Sequence, residues 1–103
     1  MDDFNIEAID DIIHGRLRLG IMAYLSTAGS ADFTLLKNRL QATDGNLSVQ
    51  LRKLEEAGYV SIGKAFVGKK PQTTVTLTDA GRTAWIGYLD SMRKLISDSE
   101  NIA

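Results

Sequence analysis

Leu47, Leu51 and Leu54 constrain this chain more than any other residues. At this spacing they fall on one side of an α-helix, and Gly58 stands where such a helix would end. Tyr59-Val60-Ser61-Ile62-Gly63 then alternates and is rich in strand formers, and Thr73-Thr74-Val75-Thr76-Leu77 does the same. Between them, Lys64 to Gln72 reads as a loop with Gly68 and the single proline, Pro71, near its tip. Proline cannot donate to a sheet ladder, so a loop or a strand end suits it. Leu77-Thr78-Asp79-Ala80-Gly81 opens a further helix. The order is helix, hairpin, helix.

Upstream, Asp32 to Leu40 reads as a short helix with Phe33, Leu36 and Leu40 facing inward and Asp32 as its N-cap. Gln41-Ala42-Thr43 makes a turn, and Thr43 or Asp44 caps the helix that carries the leucines. Two helices with apolar stripes and so short a connection must pack across one another, as a helix-turn-helix unit. Arg16 to Ser26 is a further helical run with Leu17, Ile21 and Leu25 on one face, ended by Thr27-Ala28-Gly29-Ser30. Ile6, Ile9, Ile13 and Leu17 recur at three or four residues, so an N-terminal helix is expected, with His14-Gly15 as its weak point. The last helix is expected over Asp79 to Ser97, where Ala84, Trp85, Tyr88, Leu89, Met92, Leu95 and Ile96 form a wide apolar stripe.

The chain has 103 residues, 44% of them apolar, which suits one domain with one core. It has no cysteine, so disulfides and cysteine-ligated metals are excluded and a reducing cytoplasm is the natural compartment. No signal peptide opens it, and no apolar run approaches the roughly 20 residues of a membrane helix. The net charge of −1 argues against a passive polycation. The charge is unevenly placed: five acids and no base in residues 1–11, net positive charge over 12–71, and net negative charge after that. Enzyme chemistry has little support. There is no P-loop and no Gly-x-Ser-x-Gly elbow, and the single histidine, His14, has only Asp10 and Asp11 nearby as a thin metal set. The adjacent acids Asp2-Asp3, Asp10-Asp11 and Glu55-Glu56 would splay apart on a helix. No catalytic residue, metal or cofactor is therefore expected.

Five segments together resemble the winged helix-turn-helix transcriptional regulators, particularly the compact branch near the MarR (multiple-antibiotic-resistance regulator) family. They are Arg18-Leu19 with Ile21 and Leu25; Asp32-Phe33 with Leu36; Thr43-Asp44-Gly45-Asn46-Leu47-Ser48; Leu51-Arg52-Lys53-Leu54-Glu55-Glu56-Ala57-Gly58-Tyr59-Val60; and Leu77-Thr78-Asp79-Ala80-Gly81. The resemblance implies an α+β, mostly α fold: a winged helix-turn-helix with a two-stranded β-hairpin wing and N- and C-terminal dimerisation helices. A single DNA-binding domain would span residues 1–103, with 1–13 as a helical extension and 79–97 as the C-terminal dimerisation helix. It also implies a cytoplasmic regulator that binds double-stranded DNA as a homodimer.

The N-terminal part of such a recognition helix enters the major groove. Asn46, Ser48, Val49 and Gln50 are therefore expected near base edges, where Asn and Gln can pair with adenine and valine can touch a thymine methyl. Arg52 and Lys53, further along, are expected on phosphates. Lys64, Lys69 and Lys70 of the wing are expected on backbone or minor groove, and Lys37 and Arg39 of the supporting helix are weaker phosphate candidates. Ile6, Ile9 and Ile13 are expected to join Trp85, Tyr88, Leu89, Met92 and Ile96 in the dimer seam. The alternative is a winged-helix protein-interaction module without sequence-specific DNA binding. Near-neutral charge is compatible with it, as is a recognition helix with Val49 and Gln50 where many carry a base or histidine. A small-molecule effector has no separate sensing domain to support it.

Overall fold

A computed structural model describes residues 5–101; Asp2 and Asp3 lie outside them. Four helices and three strands follow in the order α1 (Arg16–Ala28), β1 (Ser30–Asp32), α2 (Phe33–Leu40), α3 (Asp44–Glu56), β2 (Val60–Val67), β3 (Lys70–Leu77) and α4 (Asp79–Asn101). The strands form one antiparallel sheet in the order β1-β3-β2. The expected mostly helical winged fold is present, with the β2–β3 hairpin as its wing.

The local caps follow from chemistry. Asp32 Oδ1 accepts the Leu35 N–H at 2.6 Å and starts α2, and Thr43 Oγ1 accepts the Asn46 N–H at 3.2 Å and starts α3. At the far end of α3, Gly58 takes φ +82°. The Tyr59 N–H then reaches the Leu54 carbonyl at 3.0 Å and the Gly58 N–H reaches that of Glu55 at 2.9 Å, a Schellman closure. It turns the chain directly into β2.

Four expectations change. The N-terminal helix does not form. Ile6–Ala8 is a single 3-10 turn, and α1 begins only after Gly15. Asn5 Oδ1 accepts the Glu7 N–H at 3.1 Å, and Asp10 Oδ1 accepts those of Ile12 and Ile13 at 2.7 and 3.1 Å. These short polar side chains offer the backbone local partners that compete with a helix. The expected 64–72 loop is instead strand on both sides of a two-residue turn, Gly68-Lys69, with Val67 opposite Lys70 and Phe66 opposite Pro71. Gly68 has φ +66° and Lys69 does not lie at positive φ, as a type II′ turn requires. Pro71 is tolerated because it sits in a pair that exchanges no ladder bonds, one step from the turn, and β1 covers β3 only at Thr74–Thr76. β1 is an addition that the sequence did not announce. α4 runs four residues past Ser97, to Asn101.

The core is one cluster. Leu47, Leu51 and Leu54 of α3 meet Ile21, Met22 and Leu25 of α1, Leu36 of α2, and Val60, Val75 and Leu77 of the sheet. Ile13 and Ile9 close one end of this cluster, with Tyr88 of α4 beside them. No polar or charged residue is buried among the described residues.

α4 is seated by the segment that opened it in the sequence. Leu77 is buried; Thr78 Oγ1 accepts the Gly81 N–H at 2.9 Å and donates to the Gly58 carbonyl at 2.6 Å. Any Cβ at Gly81 would lie 2.1 Å from the Tyr59 carbonyl oxygen. The Leu-Thr-x-x-Gly pattern is thus a core residue, a cap and a point of closest approach.

Candidate nucleic-acid interface

α3 presents its two sides as the leucine spacing requires. Leu47, Leu51 and Leu54 are inside, while Gly45, Asn46, Ser48, Val49, Arg52, Lys53 and Glu56 are exposed. Val49 is 47% exposed, a sizeable apolar side chain left open on an otherwise polar face. Among the described residues no element covers this flank, because α1 and β2 pack against the leucine side.

Gln50 does not stand on that open face. It is half-buried, its Oε1 accepts from Nη1 of Arg18 on α1, and its Nε2 donates to Asn46 Oδ1 at 3.1 Å. Gln50, expected near base edges, is instead tied to the third residue of α1 and is not free on that face. Arg18 was not among the expected site residues. Its partner lies 32 positions away, and only tertiary packing joins them.

The cations are arranged on two sides of the wing. Lys64 shares a shallow hollow with Ser48, Arg52 and Glu55 of α3 and with Phe33, Ile62 and Thr73, so it sits between helix and wing rather than at a loop tip. Lys69 is in the turn itself, and Lys70 starts β3 on the opposite face from Lys64. Beyond its last pairing with β1 at Thr74, the hairpin projects roughly 13 Å. Gln72 Nε2 donates to Asp32 Oδ2 at 3.1 Å, which ties the wing to the start of α2. Two apolar side chains crown the tip: Phe66 is 75% and Val67 61% exposed. Neither is among the expected site residues, although an apolar pair beside a glycine-lysine turn is a legible signal.

On α2, Arg39 is exposed, whereas Lys37 Nζ lies 2.9 Å from Asp44 Oδ1 at the start of α3. An exposed pair of this kind contributes about 0–1 kcal/mol, so a phosphate can compete for the lysine.

The expected seam residues divide. Ile13 is fully buried, and Ile9 and Tyr88 nearly so, within the protomer's own core, so they have almost no surface to offer a seam. The Tyr88 hydroxyl also meets His14 Nδ1 at 2.9 Å, which ties the N-terminal segment to α4. Trp85, Leu89 and Met92 are half-buried, while Ile6 and Ile96 are exposed at 61% and 51%. At 100° per residue, Trp85, Leu89, Met92 and Ile96 line up on one strip, roughly 80° around α4 from the inward line of Gly81, Ala84 and Tyr88.

Comparison with known proteins places this geometry. A family model described as winged helix DNA-binding domain matches residues 17–96. An uncharacterised protein of Methanocaldococcus jannaschii is 34% identical over 89 residues, covering 86% of this chain and 97% of that protein. The structure of a transcriptional regulator homologue from Pyrococcus horikoshii superposes with a TM-score of 0.83 at 32% identity, covering 89% of this chain and 92% of that one. A MarR family regulator from Neisseria meningitidis shares the fold, with a TM-score of 0.58 at 14% identity, covering 95% of this chain and 61% of that one.

Proposed function

The chain belongs to the winged helix DNA-binding domain family, and we propose that it is a homodimeric transcriptional regulator that reads duplex DNA sequence-specifically. α3 lies in the major groove with Asn46, Ser48 and Val49 near base edges and Arg52 and Lys53 on phosphates. Lys69 and Lys70 of the hairpin take the neighbouring backbone or minor groove, and Lys64 fills the angle between helix and wing. Arg39, with Lys37 once it leaves Asp44, extends the phosphate contacts along α2.

One observation carries this reading: the outward flank of α3 is uncovered along its length, beside a projecting hairpin with lysine at its turn. Support for the homodimer comes from α4, whose strip of Trp85, Leu89, Met92 and Ile96 is wider than one protomer covers. The seam is accordingly the α4 strip with Ile6, without Ile9, Ile13 or Tyr88. Selection of bound duplexes from random DNA tests the proposal. Two related half-sites about 34–36 Å apart are expected, with binding that weakens steeply as salt rises. No enriched duplex, with affinity flat in salt, would overturn it.

A second reading, a protein-interaction module, is favoured by the apolar wing tip of Phe66 and Val67. Phe66→Ala separates the two. If that change abolishes the cellular function while the selected duplex still binds normally, the tip serves a protein partner.

A further inference from the structure

We propose that Arg18 sets the polarity of a side-chain amide relay and so decides which base edge Asn46 accepts. The proposal rests on the DNA-reading assignment above and adds its specificity-determining device. Arg18 Nε donates to the Ile12 carbonyl at 2.5 Å, its Nη1 donates to Gln50 Oε1, and Gln50 Nε2 donates to Asn46 Oδ1 at 3.1 Å. A guanidinium has donors and no acceptor, so the amide facing it must present oxygen. Gln50 then has only its NH₂ to offer along the helix, and Asn46 must answer with its own oxygen. The direction of both amides follows from Arg18. The Asn46 Nδ2 hydrogens are left pointing away from the relay, on the exposed first turn of α3.

The guanidinium is seated against bare backbone. A Cβ at Gly15 would lie 2.6 Å from Arg18 Nη2 and 2.7 Å from its Cζ. Gly15 itself has φ −150° and ψ 142°, an extended conformation that alanine adopts freely. Position 15 therefore gives a way to displace Arg18 without altering Arg18 or any residue of α3.

The consequence lies in the major groove. An asparagine with both ends free pairs with adenine, giving to N7 and taking from N6. Asn46 has one lone pair of its oxygen engaged and turns its NH₂ outward, which favours edges that offer an acceptor without a neighbouring donor: O6 and N7 of guanine, or O4 of thymine, rather than adenine, whose N7 lies beside the N6 donor. Arg18 is here a positioning residue and Asn46 the reader. This replaces the adenine pairing expected of Asn46 and Gln50 from residue type alone.

The test is selection from random duplexes with the full chain and four variants. In the wild type, one position of each half-site is expected to be guanine or thymine, and Asn46→Ala is expected to erase that preference. Gln50→Glu keeps an acceptor for Arg18 but can no longer donate to Asn46, so the asparagine turns its oxygen outward. The same position is then expected to move towards adenine or cytosine, with the ratio of acceptor to donor edges changing about tenfold. Gly15→Ala and Arg18→Met are expected to relax the position so that adenine is admitted, with the rest of the site unchanged.

Three results would overturn the proposal: a wild-type position that depends on Asn46 but is adenine, a preference that neither Gln50→Glu nor Gly15→Ala moves, or an Arg18→Met variant that weakens every sequence equally. The last, with a salt slope smaller by about one, would make Arg18 a phosphate anchor. Enrichment without a shift sinks this proposal alone, whereas no enrichment by the wild type sinks it together with the DNA-reading assignment.

Discussion

Gly81 carries the tightest steric constraint among the glycines. It lets the first turn of α4 lie directly against the Tyr59 carbonyl, and a methyl group 2.1 Å from that oxygen forces backbone to move. Gly81→Ala is expected to cost about 3 kcal/mol, read as a lower urea midpoint with an unchanged slope. Tyr59 makes a second strong constraint. Its hydroxyl donates to Asp10 Oδ2 at 2.5 Å and holds the N-terminal segment to the end of α3. The hydrogen bond to Asp10 pushes the Tyr59 phenol up from 10.0 to about 12, helped by burial and by the charge of Asp10. The fold thus favours the neutral phenol. Its contribution is complete below about pH 10 and is lost as pH rises towards 12. Alkaline unfolding is expected to steepen in that window and to be shallower in Tyr59→Phe. Part of the limb should remain, since burial, with Asp10's charge, also raises the Tyr88 phenol.

At the scale of elements, the proposed function gives the wing and α3 separable tasks. The hairpin carries Lys69 and Lys70 on a type II′ turn held away from the core, so changing them does not disturb packing. The Lys69→Ala, Lys70→Ala double variant is expected to lower DNA affinity for all sequences and to reduce the salt slope by up to about 2, with base preference unchanged. Titration of binding against salt checks this. Elements were legible where their signals are local. α2 and α3, their caps at Asp32 and Thr43, and the Gly58 closure all follow from residues within one or two turns of one another. The wing's length was not legible, because Lys64 to Val67 and Lys70 to Gln72 are strand only through pairing across the hairpin. β1 is three residues long and is a strand only because β3 lies beside it. The N-terminal isoleucines had helical spacing, but Asn5 and Asp10 took the backbone N–H groups that a helix would have used.

The molecule measures 58 × 25 × 21 Å, and its long dimension exceeds what one compact core of this size needs. α4 has 23 residues, but among its residues only Gly81 and Tyr88 are buried. A second copy packed along the Trp85–Ile96 strip would cover this length and set two copies of α3 in register with successive turns of a duplex. Leu89→Asp is expected to give a folded monomer by sedimentation. Its affinity for a duplex with two half-sites should fall at least about 100-fold, while contact with a single half-site persists.

The sequence by itself determined the helix order, the side of α3 that faces inward, the caps and the closure into the hairpin. Each is a matter of spacing and side-chain chemistry within a few residues, and short-range hydrogen bonds and sterics suffice to specify it. Tertiary structure decided which apolar residues remained at the surface after folding. It buried Ile9, Ile13 and Tyr88 within the protomer and left the Trp85–Ile96 strip and the Phe66–Val67 tip open. It also joined Arg18 to Gln50. Burial and hydrogen-bond polarity depend on what packs opposite a residue, and in this protein the opposing group is most often tens of positions away along the chain.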